Sequence, residues 1–461
     1  MNDLPTTNRP TRRGIDWRRA QALMARERER FVAMNPHSRD LSERASEHLL
    51  FGVPMHWMSD WATPFALHVH EASGAHLTDV DGHRLVDFCL GDTGAMFGHS
   101  PPAVARALAH QGSRGITAML ASADAAWIAE DLAARFGLPQ WQFAMTASDA
   151  NRFLLRWIRA ATGRKTIVVF NGCYHGTVDD VFVDLVNGEP RQRDSLLGQV
   201  HDLTRFTRVV EFNDLPALEH ALAEGDVACV LAEPAMTNVG IVHPVDGYHH
   251  ALRELTRKHG TLLIIDETHT ICAGPGGFTR AQNLDPDFLV FGKPIGAGVP
   301  GAAYGFTQQV ADLITKNNSL EDCDTGGIGG TLAGNALSLA AMRATLTKVL
   351  TPEAFDRMMP MAERWTAGVQ KVINDFGMPW SVTRLGCRAE YLFGPNEPRN
   401  GTEAHDAMDF ELERFMHLYA MNRGILLTPF HNMALMSPAT APEDVDQHSK
   451  VFREAVRELM G

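Results

Sequence analysis

Two side chains capable of acid–base or covalent chemistry each stand at the end of a short apolar run. Lys293 follows FLVFG at 288–292, and Asp266 ends the run LLIID. A lysine among glycines in a protected crevice loses hydration, which lowers its pKa and makes the neutral amine available as a nucleophile. An unpaired carboxylate is costly to bury, so Asp266 should face a cation of the protein or of a ligand. Taken singly, an exposed loop lysine and a capping aspartate remain open alternatives.

Two further segments could bind an anion and an aromatic ring. FAMTASDAN at 143–151 leads into a helical pattern. A helix starting near Ala147 and Ser148 would present free backbone N–H groups and a favourable dipole to an anion, although Ser148 could equally be an ordinary N-cap. Tyr174 lies in NGCYHG, directly after a predicted strand. Glycine turns there could hold it flat over a ring, and a core tyrosine in a surface turn is the alternative.

Together, these four features suit pyridoxal phosphate. The helix start can hold the phosphate, Tyr174 can stack on the ring, and Asp266 can keep the pyridine nitrogen protonated. Lys293 can form the Schiff base, after which the ring acts as an electron sink for a carbanion at the substrate carbon. The residues therefore predict an enzyme that uses this cofactor.

The elements that must position these residues alternate between strand-like and helical patterns. Short, almost wholly apolar runs favour strands buried on both faces of a parallel sheet. The predicted strands are 165–170, 228–232, 261–266 and 288–292, and the clearest helical patterns are 215–223 and 248–259. The alternation predicts an open α/β sheet, in which ligands bind beyond the carboxyl ends of the strands.

The two ends of the chain differ from this central region. Residues 1–37 form a polar, arginine-rich extension, and its basic stretch is expected to be one solvated helical face. Strand-like stretches follow at 65–69 and 76–88, the second broken by a turn. A long helix is expected after Gly334, and the C-terminal third has the mixed signals of a smaller α+β lobe.

Composition and charge exclude several classes of protein. The 461 residues are 45% hydrophobic, and the net charge is −13 without clustered basic residues, which argues against nucleic-acid binding. No run of 18 apolar residues predicts a membrane span. The start MNDLPTT lacks the apolar core of a secretory signal and the six cysteines form no C-x-x-C pair, so we expect a cytoplasmic protein with reduced thiols. No histidine or cysteine set has metal-ligand spacing, so no metal site is expected.

Several motifs carry a resemblance to a known family. TASDAN stands where that family has S-G-T-E-A, EPAMTNVG where it has E-P-x-x-G-N-x-G, and GGTLAGNALSLAA where it has G-G-T-x-x-G-N-P. SRDLSERASEHLLFGVP, LTDVDGHRLVDFCLGDTGAMFGHSPPAV and NRGILLTPFHNMALMSPATAPEDVD are similar to its terminal segments. From about Ser38 onward, the sequence therefore resembles the class III aminotransferases of the fold-type I pyridoxal-phosphate enzymes, especially the glutamate-1-semialdehyde aminomutase-like branch.

The resemblance implies an α/β architecture of fold type I. A large domain would hold a mostly parallel central sheet flanked by helices, and a small α+β domain would be built from both chain ends. The chain would then divide into an N-terminal extension (1–37), the first part of the small domain (38–90), the large cofactor-binding domain (91–345) and the rest of the small domain (346–461).

The resemblance also implies which residues contact pyridoxal 5′-phosphate. These are the backbone of Ala147 and Ser148 at the phosphate, Tyr174 stacked on the ring, Asn238 near the 3′-oxygen, Asp266 at the pyridinium and Lys293 in the Schiff base. Thr331 would reach the phosphate of the neighbouring subunit. A homodimer would then be a requirement of the active site.

This sequence departs from the family pattern at several positions near the expected cofactor. Ala147 replaces the usual glycine of the phosphate turn, so the backbone there must avoid a positive φ or bear a cost. Thr268 stands where a valine usually packs under the ring. His269 replaces the common methionine or glutamine, and it could contact the cofactor or simply line the wall.

The expected substrate pocket lacks the arginine that the branch often places after its Gly-Val loop. Trp57 stands in MHWM, and no arginine occurs between Val53 and Arg84. We therefore infer an aromatic wall suited to a bulky or aromatic amine or amino acid. Arg388 is the candidate for binding a substrate carboxylate, and a surface arginine paired with Glu390 is the alternative.

The expected reaction is ping-pong transfer of an amino group from an amino acid or amine to an oxo acid or ketone. Lys293 would exchange its Schiff base for the donor amine and then shuttle the proton. The alternatives are an intramolecular aminomutase, a racemase or epimerase on the same scaffold, and a non-catalytic homologue that binds the cofactor. Transfer is favoured because the aminomutase's carboxylate-binding arginine is missing, and the Lys293 and Asp266 pair argues against a non-catalytic protein.

Overall fold

A seven-stranded sheet forms the centre of the computed structural model, which describes residues 12–317 and 326–461. The strands are β1 (Val69–Ser73), β2 (His76–Asp79), β3 (Arg84–Asp87), β4 (Gln140–Ala144), β5 (Thr166–Phe170), β6 (Val183–Val186), β7 (Glu189–Gln192), β8 (Thr207–Val210), β9 (Val227–Ala232), β10 (Leu262–Asp266), β11 (Phe288–Phe291), β12 (Ala302–Phe306), β13 (Ser381–Leu385), β14 (Arg388–Leu392), β15 (Ile425–Leu426) and β16 (Met433–Leu435). The helices are α1 (Trp17–Met34), α2 (Pro36–Ser46), α3 (Pro102–Gly112), α4 (Ala123–Phe136), α5 (Ala147–Thr162), α6 (Leu215–Leu222), α7 (Tyr248–Lys258), α8 (Gly277–Ala281), α9 (Gln308–Asn317), α10 (Ala336–Lys348), α11 (Pro352–Phe376), α12 (Gly401–Asp406), α13 (Phe410–Met421) and α14 (Pro442–Met460).

The central sheet is mostly parallel, as the sequence predicts. Its order is β4-β12-β11-β10-β9-β5-β8, with β8, β5, β9, β10 and β11 parallel to one another. Strand β12 pairs antiparallel with both β11 and β4. The four predicted strands are confirmed as β5, β9, β10 and β11, with ends that differ by a residue.

Both faces of this sheet are buried, which explains the continuous apolar runs. Along β5, Ile167 and Val169 pack into a cluster with apolar residues of α5, such as Leu154. Val168 and Phe170 pack on the other face with apolar residues of α6 and α7. Because the strand interiors face apolar layers, polar side chains are concentrated where the strands end.

The two chain ends combine outside the central sheet. β15, from the C-terminal part, pairs in parallel with β3, from the N-terminal part, and completes the order β1-β2-β3-β15. A second small sheet has the order β13-β14-β16 and carries Arg388 at the start of β14. The expected fold class is therefore confirmed, whereas the residue boundaries of the domains remain a prediction.

One expectation about the N-terminal region is wrong and another holds with an exception. The strand expected at 65–69 instead begins at Val69 and runs to Ser73. Phe65 is apolar because its ring packs 5.1 Å from that of Phe31, not because it lies in a strand. The arginines of α1 are exposed, as a solvated basic face requires, but Glu27 is buried and its carboxylate lies 2.9 Å from the guanidinium of Arg423.

Over residues 12–317 and 326–461, the structure has neither a helix that could cross a membrane nor a metal cluster. None of the helices there has both the length and the apolarity that a bilayer crossing requires. No group of three or more His, Cys, Asp or Glu side chains in those ranges could hold a metal ion. Cys323 lies outside the described residues, and the other five cysteines are buried free thiols.

Candidate active site

The segment after β11 brings Lys293 against the start of α5. Gly292 touches Ala147 so closely that a Cβ at position 292 would lie 2.7 Å from the Ala147 Cβ. Lys293 itself has a φ of +36°, a conformation that non-glycine residues rarely adopt. This backbone is held by the close contact at Gly292, which fixes where the lysine side chain begins.

The start of α5 is built as an anion site would be. Thr146 is the N-cap, and its Oγ1 accepts a hydrogen bond from the Asp149 backbone N–H at 3.1 Å. The alternative that Ser148 is the N-cap is therefore wrong. Ala147 is helical and has no positive φ, which confirms that its replacement of glycine avoids backbone strain. The first-turn N–H groups of a helix lack partners inside the helix, so a phosphate could accept hydrogen bonds from them.

Asp266 lies at the carboxyl end of β10 and is held as a buried anion. Its Oδ2 accepts hydrogen bonds from Asn151 Nδ2 at 2.9 Å and His175 Nδ1 at 3.0 Å, and its Oδ1 accepts one from the Thr268 N–H. Burial alone would raise the pKa of Asp266, but the hydrogen bonds and charge of His175 outweigh it and lower the pKa to about 2. Asp266 is therefore ionised and suited to pair with a protonated ring nitrogen.

His175 and Asn151 are partners of the Asp266 carboxylate that the sequence analysis missed. Burial works against a charged His175, but Cys173 and the Asp266 carboxylate raise the pKa of its ring to about 10. Asn151 also donates to the His175 carbonyl at 3.0 Å. Both stand inside motifs already singled out, TASDAN and NGCYHG. Their role depends on a contact with Asp266, which is 115 residues from Asn151, and spacing in the chain gives no sign of it.

Tyr174 lies in the loop after β5, and part of its side chain faces solvent. Its side chain is 37% exposed, which rules out the alternative of a core tyrosine. Its ring contacts Phe182 edge-on, with the centroids 6.4 Å apart. Burial of the rest of the residue raises the pKa of its hydroxyl, and the Asp92 carboxylate adds to that effect. Its stacking on a cofactor ring remains a prediction.

The Lys293 amine has two polar neighbours. Its Nζ donates to Asp92 Oδ2 at 2.6 Å and lies 2.9 Å from His269 Nε2. Burial and the Lys293 charge lower the pKa of His269 well below its usual value, so the imidazole is neutral. His269 Nδ1 lies 2.9 Å from Thr93 Oγ1. His269 therefore faces the reactive amine, while its contact with the cofactor remains a prediction.

Asp92 is the second residue at the amine and was also missed. It belongs to LGDTG, where Leu90, Gly91, Asp92 and Thr93 all have positive φ angles. Burial would raise the pKa of Asp92, but the charge of Lys293 lowers it far below its usual range. The only sequence signal was an acid in a glycine-rich turn between a strand and a helix.

The sequence analysis left open that Arg388 is a surface arginine paired with Glu390. Arg388 is buried, so the surface position is wrong, but it does lie near Glu390. Its Nη2 donates to the Thr237 carbonyl at 2.8 Å and lies 3.6 Å from Glu390 Oε2. Its Nη1 lies 3.3 Å from His269 Nδ1. Nε has no hydrogen-bond partner. Arg388 thus extends from the small sheet to His269, beside Lys293, where a substrate carboxylate could be bound.

The remaining predicted residues lie on three other segments of the chain. Asn238 Nδ2 donates to the Gly172 carbonyl at 3.0 Å, which links the loops after β9 and β5. Trp57 is 44% exposed and contacts Phe430 edge-on with centroids 6.2 Å apart, as an aromatic wall would. Thr331 is exposed, just beyond the undescribed residues 318–325. Its contact with a second subunit is untested.

The donor set fits pyridoxal 5′-phosphate. An ionised carboxylate, an amine and a helix N-terminus belong to loops that meet at one edge of the sheet, at the carboxyl ends of β10 and β11 and the start of α5. Asp266 keeps its charge through buried donors. Asp266 can pair with the ring nitrogen, Lys293 can form the imine, and the N–H groups at the start of α5 can bind the phosphate.

Comparisons with known proteins agree with this chemistry. The model of the aminotransferase class-III family matches residues 57–451. Glutamate-1-semialdehyde 2,1-aminomutase from Chloroflexus aggregans is 33% identical over 401 residues, covering 84% of this chain and 89% of that protein. A crystal structure of a glutamate-1-semialdehyde-aminomutase from Pseudomonas aeruginosa PAO1 is 49% identical, with a TM-score of 0.95, over 97% of this chain and all of that one. A variant of that protein is described in complex with PMP. An omega-transaminase from Sphaerobacter thermophilus is 27% identical, with a TM-score of 0.83, over 92% of this chain and 98% of that one.

Proposed function

This chain belongs to the class III aminotransferases, which use pyridoxal 5′-phosphate, and we propose that it moves an amino group on a small amino-carbonyl substrate with Lys293 as the cofactor-bearing residue. When bound, the cofactor withdraws electrons from the carbon that bears the substrate nitrogen. Lys293 attaches the cofactor, and its freed amine moves the proton between carbons. Asp266, ionised in its buried site, holds the proton of the ring nitrogen in place.

Other residues hold and orient the group. The first-turn N–H groups of Ala147 and Ser148 donate hydrogen bonds to the phosphate, and the exposed ring of Tyr174 stacks on the cofactor ring. Asn238 lies on the loop after β9, where it can approach the 3′-oxygen. His269, neutral and 2.9 Å from Lys293 Nζ, exchanges a hydrogen bond with the amine.

The specific reaction we propose is the intramolecular one, with glutamate-1-semialdehyde as the substrate. The observation that carries it is the 49% identity to the Pseudomonas aminomutase over nearly the whole chain. The curated relatives named as glutamate-1-semialdehyde 2,1-aminomutase support it independently. In such a reaction the amino group leaves carbon 2 and returns to carbon 1 of the same molecule, so no external acceptor is consumed.

Intermolecular transfer is the second candidate, and the substrate side of the site favours it. No arginine occurs between Val53 and Arg84, where a substrate carboxylate would be bound in the branch, and Trp57 forms an aromatic wall instead. The Asp92 carboxylate at the catalytic lysine disfavours an acidic substrate group nearby. We propose neither a racemase nor a non-catalytic homologue, because no observation favours either one.

A single-substrate incubation separates the two candidates. The purified, cofactor-loaded protein is given glutamate-1-semialdehyde alone, and 5-amino-4-oxopentanoate is separated from this isomeric substrate by chromatography before it is quantified by mass spectrometry. Stoichiometric 5-amino-4-oxopentanoate without an acceptor supports the aminomutase. No 5-amino-4-oxopentanoate, together with alanine or glutamate formed from pyruvate or 2-oxoglutarate and an amino donor, contradicts it and supports transfer. Lys293→Ala should abolish either activity and serves as the control.

We further propose that the active unit is a homodimer to which Thr331 contributes. Thr331 and Leu332 are exposed, and so are the large apolar side chains of Met119 and Leu120, a surface that a second copy would cover. Loss of the Thr331 hydroxyl should weaken cofactor retention without changing the monomer fold. Thr331→Val should therefore release cofactor faster on dialysis, and equal retention by the two proteins would contradict the role.

A further inference from the structure

The turn that contains Asp92 is built to hold a carboxylate at the catalytic amine. Leu90, Asp92 and Thr93 have φ angles of 44°, 48° and 80°, and Gly91 between them has 58°. Such conformations cost of order 1–3 kcal/mol for each non-glycine residue and persist only where the surroundings enforce them. Asp87 enforces them here, because its Oδ1 accepts hydrogen bonds from the backbone of Cys89 and Leu90.

The lysine is the nearest partner of the carboxylate that this turn presents. Asp92 Oδ2 lies 2.6 Å from Lys293 Nζ, whereas Asp92 Oδ1 is buried, has no hydrogen-bond partner and lies 4.0 Å from His269 Nδ1. A buried carboxylate oxygen without a donor is unfavourable unless a nearby cation compensates it. The ion pair with the Lys293 amine supplies that compensation.

The other groups around the pair do not replace Asp92 as counter-ion. His269 is neutral and supplies a hydrogen bond without charge. Arg388 is a cation and His431 is a base, so neither can serve as a counter-ion to an ammonium group. Both lie near a second carboxylate, that of Glu390, at 3.6 Å for Arg388 and 3.2 Å for His431. The remaining titratable groups that act on these residues are Tyr174, Cys89 and Asp266.

We propose that Asp92 is the counter-ion of the Lys293 nitrogen and stabilises its protonated form, both in the linkage to the cofactor and in the ammonium that forms when the freed amine takes up the substrate proton. The proposal rests on the assignment of Lys293 as the cofactor-bearing residue. The chain before Lys293 passes close to the start of α5, because Gly292 leaves no room for a side chain beside Ala147. The incoming amine of a substrate must approach the Lys293 nitrogen, so Asp92 also attracts its ammonium group.

This role predicts a lower pKa of the nitrogen when the charge is removed. An opposite charge within a few ångströms raises the pKa of a cationic group by about 1–3 pH units. Asp92→Asn should therefore lower the pH midpoint of the free Lys293 amine, and that of the visible band of the loaded enzyme at roughly 400–430 nm, by about that amount. Asparagine tolerates a positive φ better than most residues, so the variant suits the turn.

The first measurement needs no cofactor. Reductive methylation of Lys293 in the apoprotein, followed against pH by peptide mass spectrometry, reports the pKa of its amine. The second is a spectrophotometric pH titration of the cofactor-loaded protein. Asp131→Asn is the matched control, because Asp131 pairs with Arg135 at 3.0 Å and is not among the contacts of Lys293. Asp92→Glu, which restores the charge, should return both midpoints toward those of the unmodified protein.

The outcomes separate this inference from the proposed function. Lower midpoints in Asp92→Asn, with unchanged ones in Asp131→Asn, support the counter-ion role. Equal midpoints in Asp92→Asn and the unmodified protein overturn it, even if the enzyme is active. A protein that binds the cofactor without developing the visible band overturns the assignment of Lys293, while the methylation of the apoprotein still tests the effect of Asp92 on the amine.

Discussion

The pairing of His175 with Asp266 predicts how the stability of the apoprotein depends on pH. The pKa of His175 is raised from 6.5 to about 10, so its ionisation stabilises the fold fully below pH 6.5, and this stabilisation is lost as the pH rises through 10. The pKa of Asp266 is lowered from 3.8 to about 2, so its contribution is present above pH 3.8 and is lost as the pH falls through 2. Between these limits the buried pair is fully ionised.

The size of the alkaline effect follows from the same values. At about 1.4 kcal/mol for each pH unit, the displacement of the His175 pKa, to which Cys173 and Asp266 both contribute, corresponds to roughly 5 kcal/mol. Removing one partner of a buried ion pair is also typically worth about 3–5 kcal/mol, so we expect a loss of about that size between pH 6.5 and 10. His175→Gln keeps a hydrogen-bond donor but cannot ionise, so this loss should vanish in the variant.

Urea unfolding of the apoprotein at several pH values between 6 and 10 measures the effect. The unmodified protein should lose stability steadily as the pH rises, whereas His175→Gln should start less stable and show a flatter profile. His249→Gln is the matched control, because burial lowers the pKa of His249 and its Nε2 donates only to the Pro234 carbonyl. The same alkaline slope in His175→Gln and the unmodified protein would refute the reasoning.

Three further substitutions test other parts of the site. Gly292→Ala should destabilise the fold by about 1–3 kcal/mol and reduce cofactor loading, because its Cβ would lie 2.7 Å from that of Ala147. Gly296→Ala is the control and should lower the stability only slightly, because its Cβ would lie 3.4 Å from the nearest atom. Equal melting temperatures of the two variants would contradict this. Trp57→Ala should lower kcat/KM more for aromatic donors than for small ones, and equal losses would remove the argument for an aromatic wall. Arg388→Lys should raise KM for donors with a carboxylate by about tenfold or more through loss of the planar fork, and a similar rise for amines without a carboxylate would contradict its role.

The parts of the site that the sequence predicts are those fixed by the sheet. Lys293 and Asp266 each end a continuous apolar run, and the parallel order of β10 and β11 brings such ends to one edge. Ala147 and Ser148 begin a helix because the small and hydroxyl residues of TASDAN stand directly before a helical pattern. These residues are predictable because their positions depend on local pattern and on a general rule of topology.

The residues that the sequence analysis missed depend on contacts between distant segments. Asp92 meets Lys293 across 201 positions of sequence, and it does so from a left-handed turn that hydrophobic periodicity does not describe. Asn151 and His175 were inside quoted motifs, but their function lies in holding Asp266 ionised. Phe65 misled the strand prediction because tertiary packing on Phe31, not strand periodicity, explains its apolar character.

A crystal structure of the protein loaded with pyridoxal 5′-phosphate tests the central claim most directly. The account predicts continuous electron density from the Lys293 nitrogen to the cofactor and a hydrogen bond between the Asp266 carboxylate and the ring nitrogen at the opposite end. A cofactor bound elsewhere, or a ring whose nitrogen faces a group other than Asp266, would contradict it.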